Sequence, residues 1–184
     1  MSVSSNDDKL LKALAAAIVD RPRATLKELA EAAGISRATL HRFCGTRDQL
    51  VDMLENHGQA VLNEVIETAE LQRSQPHEGL RRLISEHLTH RELLIFLMFE
   101  YRPDSLDPGV GGGRWLSYID SLDAFFLRAQ QIGTIRIDIP AAVLSELFIS
   151  TIYGMVDAER RGRAASSSSV TVLEEFFMNG ASAG

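Results

Sequence analysis

The stretch "TLKELAEAAGISRATLHRFCGTRDQL", residues 25–50, constrains the fold more tightly than any other part of this chain. Three helix starts and two glycine breaks fall in fixed register. Thr25 and Glu28 stand at capping-box spacing, in which the hydroxyl and the carboxylate each satisfy a free backbone N–H of the first turn. Leu26, Leu29, Ala30 and Ala33 then fall on one face. Gly34 suits the left-handed turn after a helix end, and Ile35 plugs the corner. Ser36 caps a short helix running to about Phe43, and Gly45 breaks it. Thr46 caps a long following helix, supported by Gln49. Upstream, "LLKALAAAIVD" sets Leu10, Leu11, Leu14 and Ile18 on one stripe, and Pro22 ends that helix.

Two short helices joined by a glycine turn form a helix-turn-helix pattern, whose second helix can project its first residues into a DNA major groove. Those residues are Arg37, Ala38, Thr39 and, a turn later, Arg42. Arginine can bond guanine O6 and N7 together, and an alanine or threonine methyl can pack on the thymine methyl. Thr25, Thr46 and Arg47 lie at or beside helix N-termini, where hydroxyls, N–H groups and a guanidinium can grip phosphates. An αα-hairpin used only for packing is the alternative.

Charge bears on the choice. The chain of 184 residues has a net charge of −6, which taken whole argues against nucleic acid. Its distribution argues the other way. Residues 1–52 hold eight Lys/Arg against seven Asp/Glu, and the remainder eleven against eighteen. From Arg21 to Arg47 six basic residues face only Glu28 and Glu31. A basic head on an acidic body would orient toward a polyanion, although a merely solvated face would read the same.

The rest is helical. "LRRLISEHL" and "ELLIFLMFEY" read as two helices, the second apolar almost all round. "RPDSLDPGVGGGR" is a loop, residues 115–132 a further helix and "GTIRID" a turn. Pro140 opens a long helix over 141–161, and "VTVLEEFFM" a last one. The expected fold is all-α with about nine helices. A head at 1–52 is expected to bind DNA, and residues 53–184 to bind ligand and dimerise. No run approaches the roughly 20 apolar residues of a membrane span. The polar start "MSVSSNDDK" does not read as a signal peptide, and one cysteine fits a reducing cytoplasm.

Residues 25–50, with the helix before them, resemble the DNA-binding domain of the tetracycline-repressor (TetR) family of transcriptional regulators. "LAEAAGIS" matches the family's turn, Ala38 and Thr39 follow as its small residue and threonine, and Thr46-Arg47-Asp48-Gln49-Leu50 matches the entry to the fourth helix. Three positions depart. His41 stands where a phosphate-reaching tyrosine is common, Phe43 where a histidine is common, and Cys44 where a phenylalanine usually fills the core. The resemblance implies DNA contacts from Thr25, Ser36, Arg37, Ala38, Thr39, His41, Arg42, Phe43, Thr46 and Arg47.

It also implies an effector cavity in the second half and a dimer formed by the last two long helices. Larger apolar side chains concentrate there, and Phe96, Phe99, Trp115, Tyr118, Phe126 and Tyr153 are the expected lining, with Tyr118, Tyr153 and Arg102 as polar handles. Leu144, Leu147, Phe148, Thr151, Ile152 and Met155 form the expected dimer stripe, joined by Leu173, Phe176 and Phe177. From the residues alone, all of these serve equally well as internal core.

Other chemistry is poorly supported. His41 and Cys44 share i, i+3 spacing, but a zinc site needs more ligands, of which His57 is the nearest. A buried inert thiol or a redox switch are the other readings of Cys44. His87 and His90, beside Glu86, read as surface residues. "GVGGGRW" lacks the Lys-Ser/Thr of a phosphate loop and suits a mobile lid. No catalytic constellation, metal or cofactor is expected. The sequence therefore reads as a homodimeric repressor, released from a palindromic operator by a small, largely apolar effector. A helical ligand-binding or scaffolding protein without specific DNA binding is the rival reading.

Overall fold

The computed structural model describes residues 5–100 and 113–181. Among them nine helices follow in order: α1 Ser5–Asp20, α2 Leu26–Ala32, α3 Arg37–Cys44, α4 Arg47–Thr68, α5 Pro76–Thr89, α6 Arg91–Glu100, α7 Leu116–Gln131, α8 Ala141–Arg160 and α9 Ser169–Ala181. The all-α expectation agrees with this order. "RPDSLDPGVGG", with Arg102 and most of the expected lid, lies outside the described residues.

The chain divides into two compact units, residues 5–60 with 92–100 and residues 61–91 with 113–181. The boundary expected after residue 52 thus falls inside α4, which contributes to both units. α6 groups with the first unit rather than with the second half. Its residues Leu93 to Leu97 are all buried. Gly58 of α4 makes part of this packing possible, because a Cβ there would lie 2.8 Å from Leu97 Cδ2.

In the first unit the apolar stripe of α1 closes on α2, and α2 on α3. Leu14, Ile18, Ala30, Leu40, Leu50 and Leu54 are fully enclosed. Ala30 is where a small residue lets α3 pass closely, while Ile35 is only half-buried at the corner it was expected to fill. His57 Nε2 lies 3.1 Å from Asp8 Oδ1 and ties α4 to α1.

In the second unit α7 packs along α8, and α9 against α5 and α8. Aromatic rings fill the centre: Phe126 stacks near Phe148 and Phe177, with centroids 6.2 and 5.5 Å away, and Phe148 meets Phe177 edge-on at 5.8 Å. By length and composition α8 is apolar enough to cross a membrane, contrary to the expectation that no segment is, because its small polar residues barely lower its hydropathy. Its Leu144, Phe148, Ile152 and Val156 face nonetheless lies in the core of this unit.

Candidate nucleic-acid interface and effector core

The helix-turn-helix forms through contacts that span three residues. Thr25 N–H donates to Glu28 Oε2 at 2.7 Å, the Thr25 hydroxyl donates to the same oxygen at 2.7 Å, and Glu28 N–H returns to Thr25 Oγ1 at 3.4 Å. These bonds hold the Glu28 carboxyl below the usual carboxylate range. Gly34 makes the turn at φ 71°. Ser36 then accepts from Thr39 N–H at 3.1 Å and shares a 2.9 Å hydrogen bond with the Thr39 hydroxyl.

Past Ser36, α3 has two sides. Leu40 and Cys44 are buried, and Phe43 is half-buried. Arg37, Ala38, His41 and Arg42 are exposed and together line one shallow surface. No acidic side chain pairs with either arginine among the described residues, so two guanidinium groups, an imidazole and a methyl face outward. Ser36 and Thr39 are engaged in the cap instead.

Cys44 points the other way from this surface. Its thiol donates to the Leu40 carbonyl at 3.3 Å, and burial pushes its pKa up. With His41 exposed and His57 held by Asp8, the three do not converge, and the described residues contain no group of three possible metal ligands.

The entry to α4 is a second reciprocal cap: Thr46 N–H donates to Gln49 Oε1 at 3.0 Å, and Gln49 N–H to Thr46 Oγ1 at 3.2 Å. Here the Thr46 hydroxyl accepts, so its own proton stays available for a phosphate, unlike that of Thr25. Arg47 does more than await a phosphate. Its Nη2 donates to the Pro22 carbonyl at 3.0 Å, fastening α4 to the end of α1. Between the helices Gly45 sits at φ 73°, and a Cβ there would lie 2.4 Å from Gln49 Oε1. Gly45→Ala should therefore cost about 1–3 kcal/mol of stability, from a strained backbone and a broken cap. Thermal unfolding beside a Gly133→Ala control, whose glycine has φ 80° but open space around its Cβ site, would isolate the cap. Equal losses in the two variants would refute that share.

The six residues expected around an effector are divided between the two units. Tyr118 and Phe126 enter the aromatic core of the second unit, and Trp115 and Tyr153 are half-buried. Phe96 is fully buried and Phe99 nearly half exposed, both on α6 in the first unit.

The core centres on a residue that sequence reading placed at the surface. His87 is 1% exposed. Its Nδ1–H donates to the Leu83 carbonyl at 2.6 Å, and in the neutral ring Nε2 accepts from the Tyr118 hydroxyl at 2.7 Å. Its ring meets Phe148 edge-on at 5.5 Å. Burial pushes its pKa down to about 4, the Leu83 carbonyl opposing and His90 adding slightly. Burial also raises that of Tyr118 well above the ordinary value, which keeps its hydroxyl a donor. A signal was present: His87 continues the Leu80, Leu83, Ile84 stripe at helical spacing.

The expected dimer stripe splits. Leu144, Phe148, Ile152, Leu173 and Phe177 are buried within the chain, so they cannot form a partner surface. Thr151 and Met155 are half-buried. Leu147 at 46% and Phe176 at 67% are exposed, beside two residues that sequence reading missed, Val143 and Val172. Each pair lies four residues apart, a single apolar stripe on α8 and on α9.

Known proteins share this sequence and arrangement. No family model matches the chain. It is 68% identical over 182 residues to the HTH-type transcriptional regulator NfxB of Pseudomonas aeruginosa, covering 99% of this chain and 97% of that protein. Over 91 residues it is 31% identical to the HTH-type transcriptional repressor LfrR of Mycolicibacterium smegmatis, covering 50% and 48%. The crystal structure of the TetR-like transcriptional regulator LfrR from Mycobacterium smegmatis in complex with proflavine aligns with a TM-score of 0.70 at 24% identity, over 94% of both chains. The ketosteroid transcriptional regulator KstR2 of Mycobacterium tuberculosis aligns at 0.76 and 18% identity, over 98% of this chain and 97% of that one.

Proposed function

Because the chain belongs to the TetR family of helix-turn-helix transcriptional regulators, we propose that it is a cytoplasmic repressor whose homodimer holds a palindromic operator until a small, largely apolar effector releases it. The observation that supports this reading best is the exposed side of α3. In a chain of net charge −6, Arg37, Ala38, His41 and Arg42 stand together with no acidic partner among the described residues, on a helix whose ends are fixed by caps. A packing hairpin would have no use for this arrangement. Arg37 and Arg42 read base edges, Ala38 meets a thymine methyl, and His41 and Thr46 donate to the backbone. Thr25, Ser36 and Arg47 chiefly hold the frame, and Phe43 packs beside it.

A dimer places two such helices in successive major grooves, about one helical turn apart. The exposed Val143, Leu147, Val172 and Phe176 supply an apolar surface for a symmetric contact, in which each residue counts twice. Leu147→Ser should weaken the dimer by about tenfold or more, from apolar area left wet in both copies. Sedimentation over a concentration series checks this, and a variant that self-associates like the parent would refute the assigned face.

The effector is placed among the aromatic side chains of the second unit, beside Trp115, Tyr118, Phe126 and Tyr153, of which Trp115 and Tyr153 are half-buried. A planar aromatic molecule suits such rings, and proflavine, bound in the similar LfrR structure, is the natural probe. For release, the effector must prefer the DNA-incompetent state by about 1–3 kcal/mol, and it acts by shifting α4 and hence the spacing of the recognition helices. The test is selection of bound duplexes from a random pool by the full-length protein. A palindromic consensus is expected, and no enrichment would reject specific DNA binding.

A further inference from the structure

We infer that Arg128 is a positioning residue for DNA binding: from the last turn of α7 it fastens the trailing end of α4, so that the state of the α7 core is imposed on the helix that follows the recognition helix. This rests on the DNA-binding reading above.

The geometry is specific. Arg128 Nη2 donates to the Leu71 carbonyl at 2.6 Å and to the Ser74 carbonyl at 2.8 Å, more than fifty residues back in the chain. Its guanidinium carbon sits 5.9 Å from the Phe125 ring centroid. Both carbonyls belong to the connector between α4 and α5, and that connector is itself stiff. Glu70 adopts φ 50°, a left-handed conformation costly for a residue with a Cβ. Ser74 donates its backbone N–H and its hydroxyl to the Glu70 carbonyl, both at 3.0 Å. Ala69, Leu71 and Ser74 are buried. What Arg128 grips is thus a rigid extension of α4 rather than a slack loop.

Beside Arg128 the end of α4 and α7 are parted by an open groove of about 550 Å³, with Ile66 and Glu67 on one wall and Ser121 and Ala124 on the other. The arginine is also an expensive choice for stability alone, since its Nε is buried with no hydrogen-bond partner among the described residues. The other end of α7 bears Tyr118, bonded to His87, and its middle bears Phe125 and Phe126. One helix therefore joins the aromatic core to the fastening. α4 runs unbroken from Arg47, three residues past the end of α3, to Thr68. A helix transmits a restraint along its length because its hydrogen-bond ladder resists bending and twisting.

The test compares the full-length protein with Arg128→Gln and Arg128→Lys. Each is titrated with a duplex selected by the parent protein, at fixed salt and at a temperature where circular dichroism shows it folded. Amide exchange is followed over residues 61–75. Arg128→Gln should bind about tenfold more weakly and exchange faster across the last turn of α4 and the connector. Arg128→Lys, which keeps a charge and several donors, should recover part of both. If Arg128→Gln exchanges faster but binds as tightly as the parent, the residue is only structural and the inference falls, while the proposed function stands. If the parent enriches no duplex, both fall. Should Arg128→Gln fail to fold, Arg128→Lys decides by the same comparison, with parental affinity despite faster exchange overturning the inference.

Discussion

Replacing Arg37 and Arg42 together by alanine should weaken binding to the selected duplex by about a hundredfold or more, with the fold intact. A well-formed bidentate arginine–guanine contact discriminates by about 1–3 kcal/mol, and each 1.4 kcal/mol is tenfold in affinity. Both side chains are exposed on α3 and neither has an acidic partner among the described residues, so the free protein loses nothing it uses. Stability should stay within about 0.5 kcal/mol of the parent. The single variants separate the roles. Loss of a base contact relaxes preference at one position of the consensus, whereas loss of a phosphate contact weakens all sequences alike and lowers the salt slope by about one. Lys27→Ala, exposed on α2 and already near Glu31 at 3.8 Å, is the control for simple charge removal. A double variant that keeps its affinity at fixed salt would show that α3 does not read the operator.

Acidification should remove about 3 kcal/mol of stability through His87 alone. Its folded pKa is about 4, against an ordinary value of about 6.5 in the unfolded chain. Between those values the unfolded chain binds a proton that the folded one refuses, so stability rises with pH across this window. The full contribution is present above pH about 6.5, shrinks by about 1.4 kcal/mol per unit below it, and is gone near pH 4. Lys12 and His57 hold the Asp8 carboxyl low against its burial, and Arg91, Ser169 and Ser166 do the same for Glu159. Those groups lose stability in the same direction, but chiefly below pH about 4.5. The comparison is therefore with His87→Phe/Tyr118→Phe, which removes both hydrogen-bonding partners and leaves rings in their place. Urea unfolding from pH 7.5 to 4.5 should fall more steeply for the parent than for this variant. Parallel curves would mean that His87 takes up its proton without leaving the core.

The helix-turn-helix was legible because its determinants are local. The caps at Thr25, Ser36 and Thr46 all close over three residues, and Gly34 and Gly45 mark left-handed turns that few other residues tolerate. Such signals survive without knowledge of what packs where. Even there tertiary contacts adjusted individual roles: Arg47 turned to the Pro22 carbonyl, and Phe43 partly inward. α6 was legible as a buried helix, but its apolar periphery gave no hint of which half of the chain would bury it.

The second half shows where that legibility ends. On α8 nearly every face is apolar, so periodicity yields several stripes of equal merit, and of the one chosen only Leu144, Phe148 and Ile152 became core, while Leu147 stayed exposed and Thr151 and Met155 half-buried. Only the packing of α7 and α9 left Leu147 and Phe176 outside. His87 is the sharper case. A histidine on a helix is ordinarily solvated, and its burial depends on Tyr118, 31 residues away, supplying the hydroxyl that its Nε2 accepts. Arg128 likewise gains meaning only from carbonyls that the connector brings to it. By itself the sequence determined the helices, their caps and turns, and the basic face of α3, because hydrogen bonds across three or four residues fix all of these. The tertiary structure decided which apolar faces are core, which are left exposed, and which polar groups are buried, because desolvation is settled by neighbours distant in the chain.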